Sequence, residues 1–289
     1  MKNELIFDVG MHDGQDTAFY LKMGFRVISI DANPDFINLA QKKFKEYIDN
    51  GQLIVLNYAI TEKDNDEITF NISKLSAWSS IKSEIADRED KLEKTIPVKT
   101  QKLSTIISEY GTPYYCKIDI EGYDNTALES LIELKNLPNF ISAETECLGD
   151  KGEISEEESL KTLETLYKLG YRKFKLIDQI SFKVLNKNTN IHKTKPFLLR
   201  FIEKHFRIHK ILKKIGYPIQ VRERYNKKFN HTFEFGSSGP FGDDLNGKWS
   251  NYKEAKKILI KNRKDYFNTT DANNYGFWCD WHAKLDNAG

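Results

Sequence analysis

The strongest constraint on this chain is a regular alternation of short apolar runs with segments of helical period. Leu5-Ile6-Phe7-Asp8-Val9 is a run rich in β-branched and aromatic residues that stops at Gly10, the pattern of a buried strand. Residues 15–23 follow at helical spacing, and Arg26 to Ile30 is a second apolar run. Pro34 then opens a helix over 35–49 that leaves at Asn50-Gly51, because proline suits a first helical turn and glycine an exit. Leu53 to Leu56 predicts a third strand, and Tyr114 to Ile120 a fourth after a partly β interlude over 61–113. A helix over 124–135, a strand at Phe140 to Ala143, an amphipathic helix over 154–169 and a strand at Phe174 to Ile177 continue the series. Strands that alternate with helices need crossover connections, which predicts an α/β fold with a mostly parallel, doubly wound sheet.

The alternation fails after residue 190. Residues 193–228 carry twelve Lys or Arg against Glu203 and Glu223, so the net charge of +2 conceals an acidic remainder. The block reads as a basic insertion, suited either to a phosphate-bearing or otherwise anionic partner or to a solvated helical surface. His231 to Phe235 is expected to be a late strand that completes the sheet. A Gly/Ser/Pro-rich loop at 236–242 and a helix over 251–265 lead into an aromatic tail. The whole reads as one domain: core 4–183 plus strand 231–235, insertion 193–228, and a C-terminal extension over 236–289.

Composition narrows the class. Charged residues at 30% and hydrophobic residues at 39% fit a folded enzyme. No run approaches the roughly 18 apolar residues of a membrane span, and Met1 leads into Glu4 to Asp8 without a cationic, apolar leader, so a cytoplasmic location is expected. Cys116, Cys147 and Cys279 are too few and too scattered for a disulfide framework or zinc ribbon, and reduced thiols are expected.

Chemistry concentrates where the strands end. Asp8-Val9-Gly10-Met11-His12-Asp13-Gly14 sits at the turn from first strand to first helix. Glycines there let the backbone approach a ligand, and the helix N-terminus offers free N–H groups to an anion. For S-adenosylmethionine that anion is the methionine carboxylate. The dinucleotide fingerprint G-x-G-x-x-G is broken by His12, and Asp8 suits a cationic amino group better than a pyrophosphate, which argues against a nicotinamide-dependent oxidoreductase. Asp31 closes the second strand about twenty residues on, placed to accept ribose hydroxyls, with Ala32 and Asn33 beside it.

The fourth strand ends in Lys117-Ile118-Asp119-Ile120-Glu121-Gly122-Tyr123-Asp124 and the fifth in Glu144-Thr145-Glu146, so adjacent strand ends can bring several carboxylates together. Asp119, Glu121 and Glu144 are the candidate catalytic groups, with His12 as a further candidate. Either a carboxylate or His acts as base, or a divalent cation lowers the pKa of a weakly acidic hydroxyl; the residues leave that choice open and no metal ligand set is assigned. Cys279-Asp280-Trp281-His282 holds metal-capable types without a second ligand pair, and packing of the tail is the expected role. Trp249, Trp278 and Trp281 are expected in the core.

Together, the D-x-G-x-x-x-G loop at Asp8 to Gly14, the acidic Asp31 with Ala32-Asn33-Pro34, and the K-x-D-x-E-G segment at Lys117 to Gly122 resemble the FkbM-like methyltransferases over about residues 4–183. The run Asn57-Tyr58-Ala59-Ile60 looks like that family's adenine-side segment. The resemblance implies a Rossmann-like class I methyltransferase fold and O-methylation of sugars or secondary metabolites with S-adenosylmethionine. It implies a cofactor site at Asp8, Gly10, His12, Asp13, Gly14, Asp31, Ala32, Asn33, Tyr58, Ala59 and Asp119, and a small-molecule or glycan acceptor. A nucleic-acid partner is disfavoured, because the fourth strand lacks the Asn/Asp-Pro-Pro-aromatic segment of enzymes that methylate base amines. Oligomeric state cannot be read from the chain.

Overall fold

The computed structural model describes residues 4–74, 79–83, 87, 92–145, 155–188, 221–234, 236–267 and 277–286. The principal sheet contains β1 (Leu5–Val9), β2 (Arg26–Asp31), β3 (Leu53–Asn57), β7 (Tyr115–Ile118), β8 (Phe140–Glu144), β9 (Lys173–Asp178), β10 (Lys183–Leu185) and β11 (Cys279–Lys284). Its order is β10-β9-β11-β8-β7-β1-β2-β3. Strands β1, β2, β3, β7 and β8 pair in parallel, whereas β11 runs antiparallel between β8 and β9. The interlude forms a separate sheet of β4 (Ala59–Ile60), β6 (Leu92–Gln101) and β5 (Glu67–Ser73). This is a Rossmann-like α/β fold.

Eight α-helices accompany these strands among the described residues: α1 (Gln15–Lys22), α2 (Pro34–Lys43), α3 (Lys45–Asp49), α4 (Leu103–Tyr110), α5 (Asp124–Ser130), α6 (Glu156–Leu169), α7 (Val221–Phe229) and α8 (Tyr252–Phe267). Their ends are set locally. Asn33 caps α2 by accepting from the Asp35 N–H, with Pro34 as the first helical residue. Ser155 and Glu158 make a reciprocal capping box at α6, and Gly170, at φ 111°, ends it. The single helix expected over 35–49 is broken at Phe44, whose φ of −113° is not helical.

Alternation along β1 divides the core. Phe7 and Val9 pack on one face with Ile106 and Ile107 of α4 and with Leu128, Leu163 and Leu259. Ile6 packs with Phe19, Tyr20, Ile37 and Phe241 on the other.

The late strand belongs elsewhere than expected. Residues 231–234 form no strand; Phe233 packs edge-on against Phe19, Phe182 and Phe229. The sheet is instead completed by β11, whose alternation puts Cys279, Trp281 and Ala283 on one face and Asp280 and His282 on the other. Trp281 is therefore in the core as expected, whereas Cys279 to His282 belongs to a central strand and is no mere tail. Cys116 and Cys279 are buried free thiols. Cys147, Glu146 and most of the basic block, 193–220, lie outside the described residues. No described helix is long and apolar enough to cross a membrane.

Candidate active site

The strand order reverses between β1 and β7, and a crevice opens there at the carboxyl ends of the parallel strands, the usual ligand position in such a sheet. The crevice is lined by apolar Ile30, Ala32, Phe36, Tyr58, Ile60, Phe70 and Ile81 and by the carboxylates Asp31, Asp119 and Glu121. The small sheet β4-β6-β5 supplies part of the apolar wall through Ile60 and Phe70. Asn57 ties β3 to the lip by donating to the carbonyls of Asp31 and Ala32.

Asp31 organises the glycine loop. Its two carboxylate oxygens accept from the His12 and Asn33 N–H groups, both at 2.8 Å, so it fixes the glycine loop against the β2 turn. Burial raises its pKa to about 6, against the lowering effect of those two bonds. Gly10, His12, Asp13, Ala32, Asn33, Tyr58 and Ala59 line the crevice with it.

The glycines serve packing. A Cβ on Gly10 would stand 1.8 Å from the Asp119 carbonyl oxygen, and one on Gly14 2.6 Å from the Phe44 ring. Both residues have positive φ, near 84° and 80°. They let the loop meet the end of β7 and the end of α2, which is the physical reason for the motif in this chain. Gly14 does not line the crevice.

Asp8 also departs from expectation. It is fully buried and accepts from the Thr17 hydroxyl at 2.6 Å and from Lys117 Nζ at 3.2 Å; the crevice lining does not include it. Asp8 and Lys117 are register partners on adjacent strands. The same row crosses the sheet through Ser29, Ser142, His282 and Lys175, all buried. Lys117 Nζ also donates to the Gly10 carbonyl at 2.9 Å and lies 3.6 Å from Asp119 and 3.8 Å from Asp16. Burial disfavours its charge, yet Asp8, Asp119 and Asp16 outweigh burial and hold its pKa well above the ordinary lysine value.

Asp16 in turn receives the Ser237 hydroxyl at 2.6 Å and the Ser238 N–H at 2.9 Å. The Gly/Ser/Pro loop is thereby pinned to the first turn of α1, and Phe241 stacks on Tyr115 at 4.0 Å between ring centroids. Gly236 and Trp278 reach the crevice wall, so Trp278 is a lining residue and not the core residue expected.

The finishing ends of β7 and β8 gather the three expected carboxylates. Asp119, Glu121 and Glu144 each offer an oxygen within 4.8 Å of the others. Glu121 occupies a left-handed turn at φ 45°, and its carbonyl accepts from the Ser80 hydroxyl. Asp124, the first residue of α5, accepts from the N–H groups of Ile120 and Glu144 and so joins the two strand ends. Burial, then repulsion from Glu121, Asp119 and Asp124, raises the Glu144 pKa well above its ordinary value. His12 is placed apart from this group: its ring packs on Phe36 at 4.3 Å, and its Nδ1 lies 3.6 Å from Asp13. The hydrogen bond from His12, opposed by burial, lowers Asp13 to a pKa of about 2.

Sequence reasoning missed Asp16 and the anchoring role of Lys117, and read Asp280 only as part of a packed tail. The spacing of Lys117 two residues before Asp119 was the available signal for the second, since alternate residues share a strand face.

A Rossmann-like sheet with a glycine turn, a carboxylate on the second strand and an acidic pocket at the switch point is the layout of a nucleotide-cofactor enzyme. The FkbM methyltransferase domain matches residues 8–173, and the chain belongs to that family. No curated protein matches. Among solved structures, the chain is similar to methyltransferase FkbM from Methylobacillus flagellatus KT, with 18% identity, 48% of this chain and 32% of that one covered, and a TM-score of 0.31. It is similar to Haemonchus contortus phosphoethanolamine N-methyltransferase 2, solved with S-adenosyl-L-methionine, at 11% identity over 99% of this chain and 49% of that one, TM-score 0.37. A methyltransferase from Thiobacillus denitrificans in complex with S-adenosyl-L-homocysteine gives 11% identity, coverage of 98% and 85%, and TM-score 0.37. The match thus spans about a third and a half of the first two of these chains.

Proposed function

We propose that this methyltransferase uses S-adenosylmethionine to methylate a hydroxyl of a sugar, a glycan or another small polar metabolite. The observation that supports the reading most is the mixed lining of a single crevice: Phe36, Tyr58, Ile60 and Phe70 with Asp31, suited to adenosine, and the carboxylates Asp119 and Glu121, suited to a reacting hydroxyl. Asp31 keeps lone pairs for ribose hydroxyls beyond the two backbone bonds it accepts. The side chains of Phe36, Tyr58, Ile60 and Phe70 offer flat or branched surface to a purine.

S-adenosylmethionine supplies a methyl group on an already activated sulfonium, so no protein nucleophile is required. The chain's own task is to align the acceptor and ease its proton away. With the cofactor bound, Asp119 and Glu121 at the crevice, with Glu144 beside them, would orient the acceptor hydroxyl and draw off its proton as the methyl group is transferred.

Calorimetry tests the first half and labelled methyl transfer the second. S-adenosylhomocysteine should bind in the micromolar range, with binding lost or greatly weakened in Asp31→Ala. Asp119→Asn and Glu121→Gln should reduce turnover on the best hydroxylated acceptor more than they reduce cofactor affinity. Tight NAD binding with no S-adenosylhomocysteine binding would overturn the reading, and full turnover in both acid variants would remove the carboxylates from it.

A further inference from the structure

We propose that Asp119, Glu121 and Glu144, backed by Asp280, hold a hard divalent cation; this rests on the methyl-transfer reading and deepens it by specifying how the acceptor hydroxyl is made acidic. Two ligands of one ion lie no further apart than twice the metal–oxygen bond, roughly 4.6–5.2 Å for calcium and about 4.2 Å for magnesium. Oxygens of the three residues fall within 4.8 Å of one another, so a single ion can reach all three with little movement. The ligand set is oxygen throughout, which selects magnesium, manganese or calcium over zinc or copper.

Asp280 supplies a separate observation. It lies on β11 directly opposite Glu144, so the two side chains share a sheet face. Asp280 is 4% exposed and Glu144 6%, yet among the described residues no hydrogen-bond donor reaches either carboxyl. Buried carboxylates are ordinarily hydrogen-bonded or matched by a cation. The nearest ammonium, Lys117, is already shared among Asp8, Asp16 and Asp119.

Position gives the ion a use. Asp119 and Glu121 face the crevice while Glu144 and Asp280 lie beneath, leaving the open side of the ion toward an acceptor. A hydroxyl there becomes a stronger acid, and its proton passes to water at the solvent-exposed edge of Asp119 and not to a strongly basic residue.

The test uses the full-length protein stripped with EDTA, titrated with Mn2+ and followed through the electron paramagnetic resonance of free Mn2+, alongside calorimetry with S-adenosylhomocysteine. One Mn2+ per chain is expected, displaced by Mg2+ or Ca2+. Affinity should fall at least about tenfold in Glu144→Gln and in Asp280→Asn, with S-adenosylhomocysteine binding retained. No Mn2+ uptake while S-adenosylhomocysteine binds overturns the cation site alone; Mn2+ uptake without S-adenosylhomocysteine binding overturns the cofactor reading alone. Unchanged Mn2+ affinity in both variants places the ion elsewhere and also overturns the site. Should either variant fail to fold, Glu121→Gln at the crevice decides: Mn2+ affinity should fall at least about tenfold, and unchanged affinity refutes the assignment.

Discussion

Replacing Lys117 by Met should destabilise the protein far more than the loss of one hydrogen bond. The Lys117 side chain is buried, its ammonium lies 3.2 Å from Asp8 and 3.8 Å from Asp16, and Asp8 is fully buried. Methionine fills most of the space, so packing changes little, but Asp8, whose pKa burial already raises, loses the ammonium that opposes that rise and is left with the Thr17 hydroxyl as partner, so it either holds an unpaired buried charge or takes up a proton. Breaking a buried pair by removing one member costs about 3–5 kcal/mol. At roughly 2–4 °C per kcal/mol for a chain of this order of size, the melting temperature should fall by about 6–20 °C in differential scanning calorimetry. The loss should shrink on acidification. A stranded Asp8 has a folded pKa above its unfolded one, so its stability contribution is full below the unfolded value and is lost as pH rises through the folded one. Adding Asp8→Asn should restore part of the loss, since the stranded charge is gone and Asn still accepts from Thr17. A fall below about 2 °C, or losses in the double variant equal to the sum of the singles, would refute the view that Lys117 neutralises a buried acidic layer.

Asp31, with its pKa raised to about 6, should make S-adenosylhomocysteine binding pH-dependent. The carboxylate form accepts the ribose hydroxyls, so affinity should fall by about tenfold per unit below pH 6, and a flat calorimetric profile between about pH 5 and 7.5 would remove Asp31 from the contact. The same raised pKa means that ionising Asp31 opposes folding: its contribution is greatest below pH 3.8 and is lost as pH rises through about 6. Gly10→Ala should fail to give stable protein, because its Cβ would meet the Asp119 carbonyl at 1.8 Å in a left-handed conformation; an unchanged melting temperature would contradict that packing.

The chain by itself determined the elements built from local periodicity and capping chemistry. Alternation along Leu5 to Val9, Pro34 after Asn33, and Ser155 with Glu158 are short-range patterns whose free energy is settled within a few residues. The glycine loop, Asp31 and the Lys117-to-Gly122 segment were legible for the same reason, since strand ends of a parallel sheet must converge on the crevice. What only tertiary structure decided is non-local pairing. His231 to Phe235 and Cys279 to Lys284 both alternate, and the first looks the more apolar, but Phe233 finds its burial among Phe19, Phe182 and Phe229, whereas Cys279 to Lys284 fits between β8 and β9. The polar face that disguised that strand, Asp280 and His282, is the face turned to the buried polar rows. Nor could sequence tell that Asp8 turns inward to Lys117 while Asp119 turns to the crevice: identical side chains acquire different chemistry from burial and from neighbours about a hundred positions away.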